Sequence, residues 1–75
     1  MMTTDRPKKR SLRLQGHATS VSLENAFWDE FVRIAEIRGM SVNVLASELD
    51  AARIPPASLA SAIRLFVLAE VKGSR

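Results

Sequence analysis

Ser20 and Ser22 stand one strand period apart, with Ala18 two residues before them, in the run Ala18-Thr19-Ser20-Val21-Ser22-Leu23. Side chains two apart on a strand share a face, so two hydroxyls and a methyl would line one side and Thr19, Val21 and Leu23 the other. A hydroxyl both donates and accepts. On an exposed strand such a row suits the polar edges of nucleic-acid bases, and the Ala18 methyl suits a thymine methyl. Further on, Gly39-Met40-Ser41-Val42-Asn43 reads as the end of one helix and the start of another, with Ser41 as N-cap. The backbone N–H groups at Ser41, Val42 and Asn43 would then be free to meet a phosphate, helped by the helix dipole.

Basic residues complete this set. Arg6, Lys8, Lys9, Arg10 and Arg13 are five of the eleven basic residues, all within the first thirteen positions and against one acid, Asp5. That asymmetry points to a polyanion more strongly than the net charge of +3 does. Lys8, Lys9, Arg10 and Arg13 are accordingly candidate phosphate contacts. The stretch from Met1 to Lys9 is polar and broken by Pro7, and reads as a mobile basic arm that either touches phosphate or is an ordinary terminus.

Other chemistry finds no constellation. There is no cysteine and one histidine, so neither a thiolate nucleophile nor a zinc-ligand set is available. His17 sits beside Gly16 without a recognisable partner motif and reads as a turn or strand-edge residue. Glu48 and Asp50 diverge around a helix and Asp29 and Glu30 are merely adjacent, so these carboxylates read as solvated faces. No phosphate-binding glycine loop or His-Glu-x-x-His is present. The expectation is a protein that is not an enzyme and needs no cofactor or metal.

The elements that must position these groups follow from periodicity. Thr19 to Leu23 alternates as a strand. Arg10 to Leu14 alternates too, with Leu12 and Leu14 opposite Ser11 and Arg13, as a first short strand or an extension of the same ribbon; Gln15-Gly16-His17 interrupts it. Ser22 is placed to cap a helix from about Glu24 to Arg38, whose stripe is Ala26, Phe27, Phe31, Ile34 and Ala35. Trp28 and Ile37 lie off that stripe, as edge-of-core residues or contacts with a second chain. Val42, Leu45, Ala46 and Leu49 make the inner face of a second helix that reaches about Ala52 and stops at Arg53-Ile54-Pro55-Pro56. Ser58 starts a third helix that runs to about Lys72, apolar on most sides through Leu59, Ile63, Leu65, Phe66, Val67, Leu68 and Val71.

At 75 residues and without disulfides, the chain is short of core, and oligomerisation is the remaining means of stabilising it. A lone strand would also leave its backbone groups unpaired. Both needs point to a homodimer. The expected fold is mainly α: one N-terminal β-strand pairing across the dimer, followed by three helices. The expected divisions are a flexible arm at 1–9, a domain at 10–72 and a tail at 73–75. The longest apolar segment, Leu59 to Val71, contains Arg64 and Glu70 and is too short to span a bilayer, and no apolar run follows the basic N-terminus. No membrane partner and a cytoplasmic location are therefore expected.

Thr19-Ser20-Val21-Ser22-Leu23, a helix of about four turns, Gly39-Met40-Ser41-Val42-Asn43 and an apolar second helix resemble the ribbon-helix-helix (MetJ/Arc-type) DNA-binding family. The string from Gly16 to Trp28, with Ser61-Ala62-Ile63-Arg64, resembles a short bacterial subfamily of it. The resemblance covers about Arg10 to Val71. It implies that Ala18, Ser20 and Ser22 take the outward, base-contacting ribbon positions and that Ser41 with the backbone after it clamps phosphate. It implies a dimer interface that includes Thr19, Val21, Leu23, Trp28, Phe31, Leu45, Leu49, Ile63 and Phe66. The function implied is sequence-specific binding of double-stranded DNA by a homodimeric transcriptional regulator. The alternative is a dimeric interaction or antitoxin-like module, with a toxin or other protein as partner and no DNA site of its own. Two departures stand out: Ala18 replaces a longer polar side chain, and Pro55-Pro56 and the third helix are additions to the minimal fold.

Overall fold

A computed structural model describes residues 5–73. Two strands come first, β1 (Lys8–Leu14) and β2 (His17–Leu23), followed by α1 (Asn25–Ile37), α2 (Val42–Ala52) and α3 (Leu59–Gly73). The helices hold 57% of the described residues, so the fold is mainly α, and the chain supplies two strands, a hairpin, where one strand was expected. β1 pairs antiparallel with β2 in the register Lys8↔Leu23, Lys9↔Ser22, Arg10↔Val21, Ser11↔Ser20, Leu12↔Thr19, Arg13↔Ala18 and Leu14↔His17.

The turn explains why the hairpin closes. Gln15 and Gly16 are its two central residues and both have positive φ, 51° and 85°. That is the requirement of a type I′ turn, whose twist matches that of the strands it joins. One edge of β2 is thereby paired within the chain, and its other edge pairs with no strand among the described residues. Lys8 and Lys9, expected in a flexible arm, are the first two residues of β1. Residues 1–4 of that arm and 74–75 of the tail lie outside the described residues.

The start of α1 also differs from expectation. Ser22 lies within β2, the N-cap is Glu24, and its side chain makes no capping bond. Instead the N–H groups of Asn25 and Ala26 donate to Oδ1 and Oδ2 of Asp5, at 3.1 and 3.0 Å. Asp5 caps the helix from twenty residues upstream, because β1 returns the chain alongside the start of α1. The end of α1 is as expected. Gly39 has φ +68°, its N–H bonds to the Glu36 carbonyl, and the Met40 N–H reaches back to Ala35 at 2.9 Å, the bond pattern of a Schellman motif.

Ser41 and Ser58 start the next two helices through their hydroxyls, which accept from the N–H groups of Val44 and Ser61 at 3.0 and 3.1 Å. The core that the elements enclose is Leu12, Val21 and Leu23 from the hairpin, Phe31, Ile34 and Ala35 from α1, Leu45 and Ala46 from α2, and Ile63 and Val67 from α3. Phe31 is at its centre, edge-on to Phe66 with ring centroids 6.2 Å apart. Arg38 ties the end of α1 to Glu70 on α3 at 2.8 Å, and Arg64 ties α3 to Glu24 at 2.9 Å. α3 is covered on one side only. Leu65, Leu68 and Val71 are 66%, 51% and 40% exposed, so within the chain its apolar breadth is not matched by burial.

Candidate nucleic-acid interface

The hairpin is two-faced because its pleat sorts residues by parity. Arg10, Leu12 and Leu14 of β1 lie on the side of Val21 and Leu23, against the helices. Lys9, Ser11 and Arg13 lie on the other, directly opposite Ser22, Ser20 and Ala18 respectively. All six of these outward residues are exposed. Ala18, Ser20 and Ser22 are thus on the face their spacing implies, but in company: three residues of β1 complete a surface of two cations, three hydroxyls and a methyl. Neither strand contains an aspartate or glutamate.

The basic residues divide by role. Arg10 faces inward and is only half-exposed: its Nη2 donates to Oδ1 of Asn25 at 2.6 Å and to the Leu23 carbonyl at 3.1 Å, and its guanidinium lies 5.4 Å from the Trp28 ring centroid. Those contacts hold β1 to the start of α1, so Arg10 has a structural role in this fold. Its Nε is buried without a partner among the described residues. Arg13 has an exposed side chain that leans over the turn, with Nη1 3.4 Å from the Gly16 carbonyl. Lys8 and Lys9 are exposed, Lys8 at the end of β1 opposite Leu23 and Lys9 on the outward face.

The N-terminus of α2 stands beside β1. The backbone N–H of Arg13 donates to Oδ1 of Asn43 at 2.9 Å, which fixes the outer edge of the hairpin to the first turn of α2. Ser41 spends its hydroxyl on the Val44 N–H, leaving the N–H groups of Val42 and Asn43 in a first turn that has no preceding carbonyl to meet them. An open groove runs between the two elements, lined by Arg13, Gln15, Asn43, Val44, Ser47, Glu48 and Ala51. The docking of the Asn43 side chain onto a strand edge carries no mark in the sequence. The outward position of Ser11, by contrast, follows from alternation with Leu12.

The residues expected at a dimer interface fall into three groups. Val21, Leu23, Phe31, Leu45 and Ile63 are at most 6% exposed and are filled by contacts within the chain. Trp28, Leu49 and Phe66 are partly buried against that same core. Thr19 has the inward parity but is exposed, near the turn end of the hairpin, where it lines an open pocket with Ser47 and Asp50 of α2 and Leu59 of α3. Ile37 is 70% exposed.

Electrostatics near the hairpin keep the few carboxylates ionised. Hydrogen bonds from the Ala26 and Asn25 N–H groups, with Lys8 and Arg10 nearby, hold the Asp5 carboxyl below its ordinary value against a smaller opposing effect of desolvation. The hydrogen bond from Arg64 holds Glu24 down in the same sense, and that from Arg33 holds Glu30 down. No described helix is long and apolar enough to cross a membrane. Comparison with curated proteins and with solved structures gave no match. The family model described as a ribbon-helix-helix domain matches residues 7–71, from just before β1 almost to the end of α3, and the chain belongs to the ribbon-helix-helix family.

Proposed function

We propose that the chain is a DNA-binding regulator that acts as a homodimer and lays the outward face of its hairpin in the major groove. The observation that carries this reading is the acid-free face on which Ala18, Ser20 and Ser22 lie beside Lys9 and Arg13. A two-stranded antiparallel ribbon fits the major groove, where hydroxyls can bond base edges and cations can meet phosphates. The start of α2, held against β1 through Asn43, supplies N–H groups to a backbone phosphate. Phosphate contacts orient the protein; the ribbon reads.

Fluorescence anisotropy of a labelled random-sequence duplex, titrated across roughly 50 to 200 mM salt, tests it. Affinity that falls steeply with salt, and is lost when Ser20 and Ser22 are both changed to glutamate in a protein that stays folded, supports the reading. Absence of binding at the low end of salt, or a double variant that binds at wild-type strength, removes it.

A second reading has its own observation. Ile54, Leu65 and Leu68 are 80%, 66% and 51% exposed, and the α2–α3 side carries an apolar groove lined by Leu49, Ile54, Leu65 and Phe66. A protein surface would cover these residues: the second copy in the homodimer or, in an antitoxin-like module, another protein. Sedimentation equilibrium separates the two. Leu65→Glu is expected to shift a dimer towards monomer; a variant that remains dimeric places the self-contact elsewhere.

A further inference from the structure

The two strands of the hairpin differ in the chemistry of their outward residues. Ala18, Ser20 and Ser22 of β2 are small and uncharged, whereas Lys9 and Arg13 of β1, with Ser11 between them, carry the charge. The strands differ at their edges as well. The Arg13 N–H points off the hairpin to Asn43, so Arg13 and Ala18 form a non-hydrogen-bonded pair and the Ala18 backbone groups point off the opposite edge. By alternation those of Ser20 and Ser22 do the same, and the Ser22 carbonyl meets Arg64 Nη2 at 3.4 Å. The outer edge of β1 thus meets α2, while that of β2 faces no strand among the described residues. A second copy joined along that edge of β2 puts β1 one strand further out on each side. We propose that β1 is the outer strand of a four-stranded face, and that its Lys9, Ser11 and Arg13 grip the phosphates walling the major groove while Ala18, Ser20 and Ser22 meet the bases. This rests on the proposed DNA-binding homodimer and adds the place and role of β1 in it.

Spacing supports this division of labour. Neighbouring strands lie about 4.8 Å apart, so in the order β1-β2-β2-β1 the two outer strands are about 14 Å apart. The major groove is about 12 Å wide. The inner pair therefore fits over the base edges, and the outer pair meets the walls, where the phosphates are. Charge agrees with position. Hydroxyls and a methyl suit base edges, and the long cationic side chains are on the strands that come nearest the phosphates. The Arg13 backbone is held at Asn43, while its guanidinium has a long, exposed contact with the Gly16 carbonyl, at 3.4 Å. The side chain can turn to a phosphate without moving the strand. Ser11, directly opposite Ser20, places a further hydroxyl between the two cations.

Strand order and DNA contact are tested separately, on variants shown to be folded by circular dichroism and thermal melting. The chain has no cysteine, so a single introduced one can form a disulfide only between copies. Ala18→Cys, Thr19→Cys, Ser20→Cys, Val21→Cys and Ser22→Cys are oxidised one at a time beside Ser11→Cys. At least one of the five is expected to give a covalent dimer and Ser11→Cys none, because a disulfide needs Cα atoms within about 7 Å. A Ser11→Cys protein that bridges, or five β2 variants that do not, overturns the strand order. The anisotropy assay then uses a duplex selected by the wild-type protein from a random pool, and its scrambled version. Lys9→Ala and Arg13→Ala are each expected to weaken both duplexes by the same factor and to make the salt slope shallower by about 0.9 for each phosphate contact removed. Ser20→Ala is expected to keep the slope and to lose roughly tenfold in preference for the selected duplex, as for a base contact. If Lys9→Ala and Arg13→Ala keep the wild-type slope, or lose preference instead, β1 does not grip phosphate and the inference falls with the DNA-binding function intact. If the wild-type protein selects no duplex at all, the function itself falls.

Discussion

The Arg13 N–H and the Asn43 Oδ1 lie 2.9 Å apart across thirty residues of sequence, and this bond joins the buried cluster of Leu12, Leu45 and Ala46 in holding the hairpin beside the start of α2. A strand-edge amide would otherwise face water, and a helix-start asparagine would otherwise serve only its own turn. Their pairing gives the ribbon and the α2 N-terminus one rigid relation, so that bases and phosphate could be engaged together.

Asn43→Ala removes that link. The bond is exposed, so the expected loss of stability is modest, about 1 kcal/mol. The expected loss of DNA affinity is larger than this, because a misplaced ribbon weakens several contacts at once. Parallel thermal melts and anisotropy titrations separate the two effects. An affinity loss no larger than the stability loss would mean that ribbon and helix start act independently.

Ser41→Ala tests the cap. The Ser41 hydroxyl accepts from the Val44 N–H at 3.0 Å, and loss of a serine cap costs about 1 kcal/mol. Glycine at the same place should cost only a few tenths, since its backbone still adopts the cap geometry. Ser41→Ala should therefore melt clearly below wild type, with Ser41→Gly between them. An unchanged melting temperature in the alanine variant would show that the cap is dispensable.

What the sequence revealed and what it hid follow from the range of the interactions. Gly39, Ser41, Pro55 and Ser58 act on backbone groups within a few residues of themselves, and the helix boundaries near them are legible for that reason. Alternation likewise put Ser11 and Arg13 opposite Leu12, and Ser20 and Ser22 opposite Val21. Alternation assigns a strand's faces and says nothing of its neighbour, so the pairing of β1 with β2 within the chain was not legible from it. The capping of α1 by Asp5 and the docking of Asn43 onto Arg13 join residues far apart in the chain, and no local pattern marks either. Arg10 is intermediate. It has the parity of Leu12 and Leu14, which places it inward, while its charge and its basic neighbours suggest the reverse.

Arg10→Ala and Arg13→Ala should consequently differ in kind. Arg10 donates to Asn25 and Leu23 and lies over the Trp28 ring, so its loss should cost roughly 1–3 kcal/mol of stability. The salt dependence of DNA binding should stay as in wild type, since no phosphate contact is lost. Lys9→Ala should do the opposite: unchanged melting, and a salt slope shallower by about 0.9 for the phosphate contact removed. Chemical denaturation read beside a salt series checks both. An Arg10→Ala protein of normal stability with a shallower salt slope would return Arg10 to the DNA surface.

Asp5 gives a prediction in pH. Its carboxyl is held below the ordinary value of 3.8 in the folded protein, first by the Ala26 N–H, then by the Asn25 N–H and the charges of Lys8 and Arg10. A carboxyl whose pKa is lowered by folding binds fewer protons in the native state than in the unfolded one. Its stabilising contribution is therefore complete above the unfolded value and is lost as pH falls through the folded value. Asp5→Ala should melt below wild type at neutral pH, and the gap should close as pH drops below 3.8. Glu24 and Glu30, whose pKa values are also lowered, are present in both proteins and largely cancel from the difference. Glu24 even gains slightly in the variant, because the Asp5 charge opposes its ionisation. Melting curves of the two proteins from neutral pH down to about 2, a range that brackets ordinary carboxylate values, check the prediction. A gap that persists unchanged at the acid end would mean that Asp5 acts through packing and not through its charge on the first turn of α1.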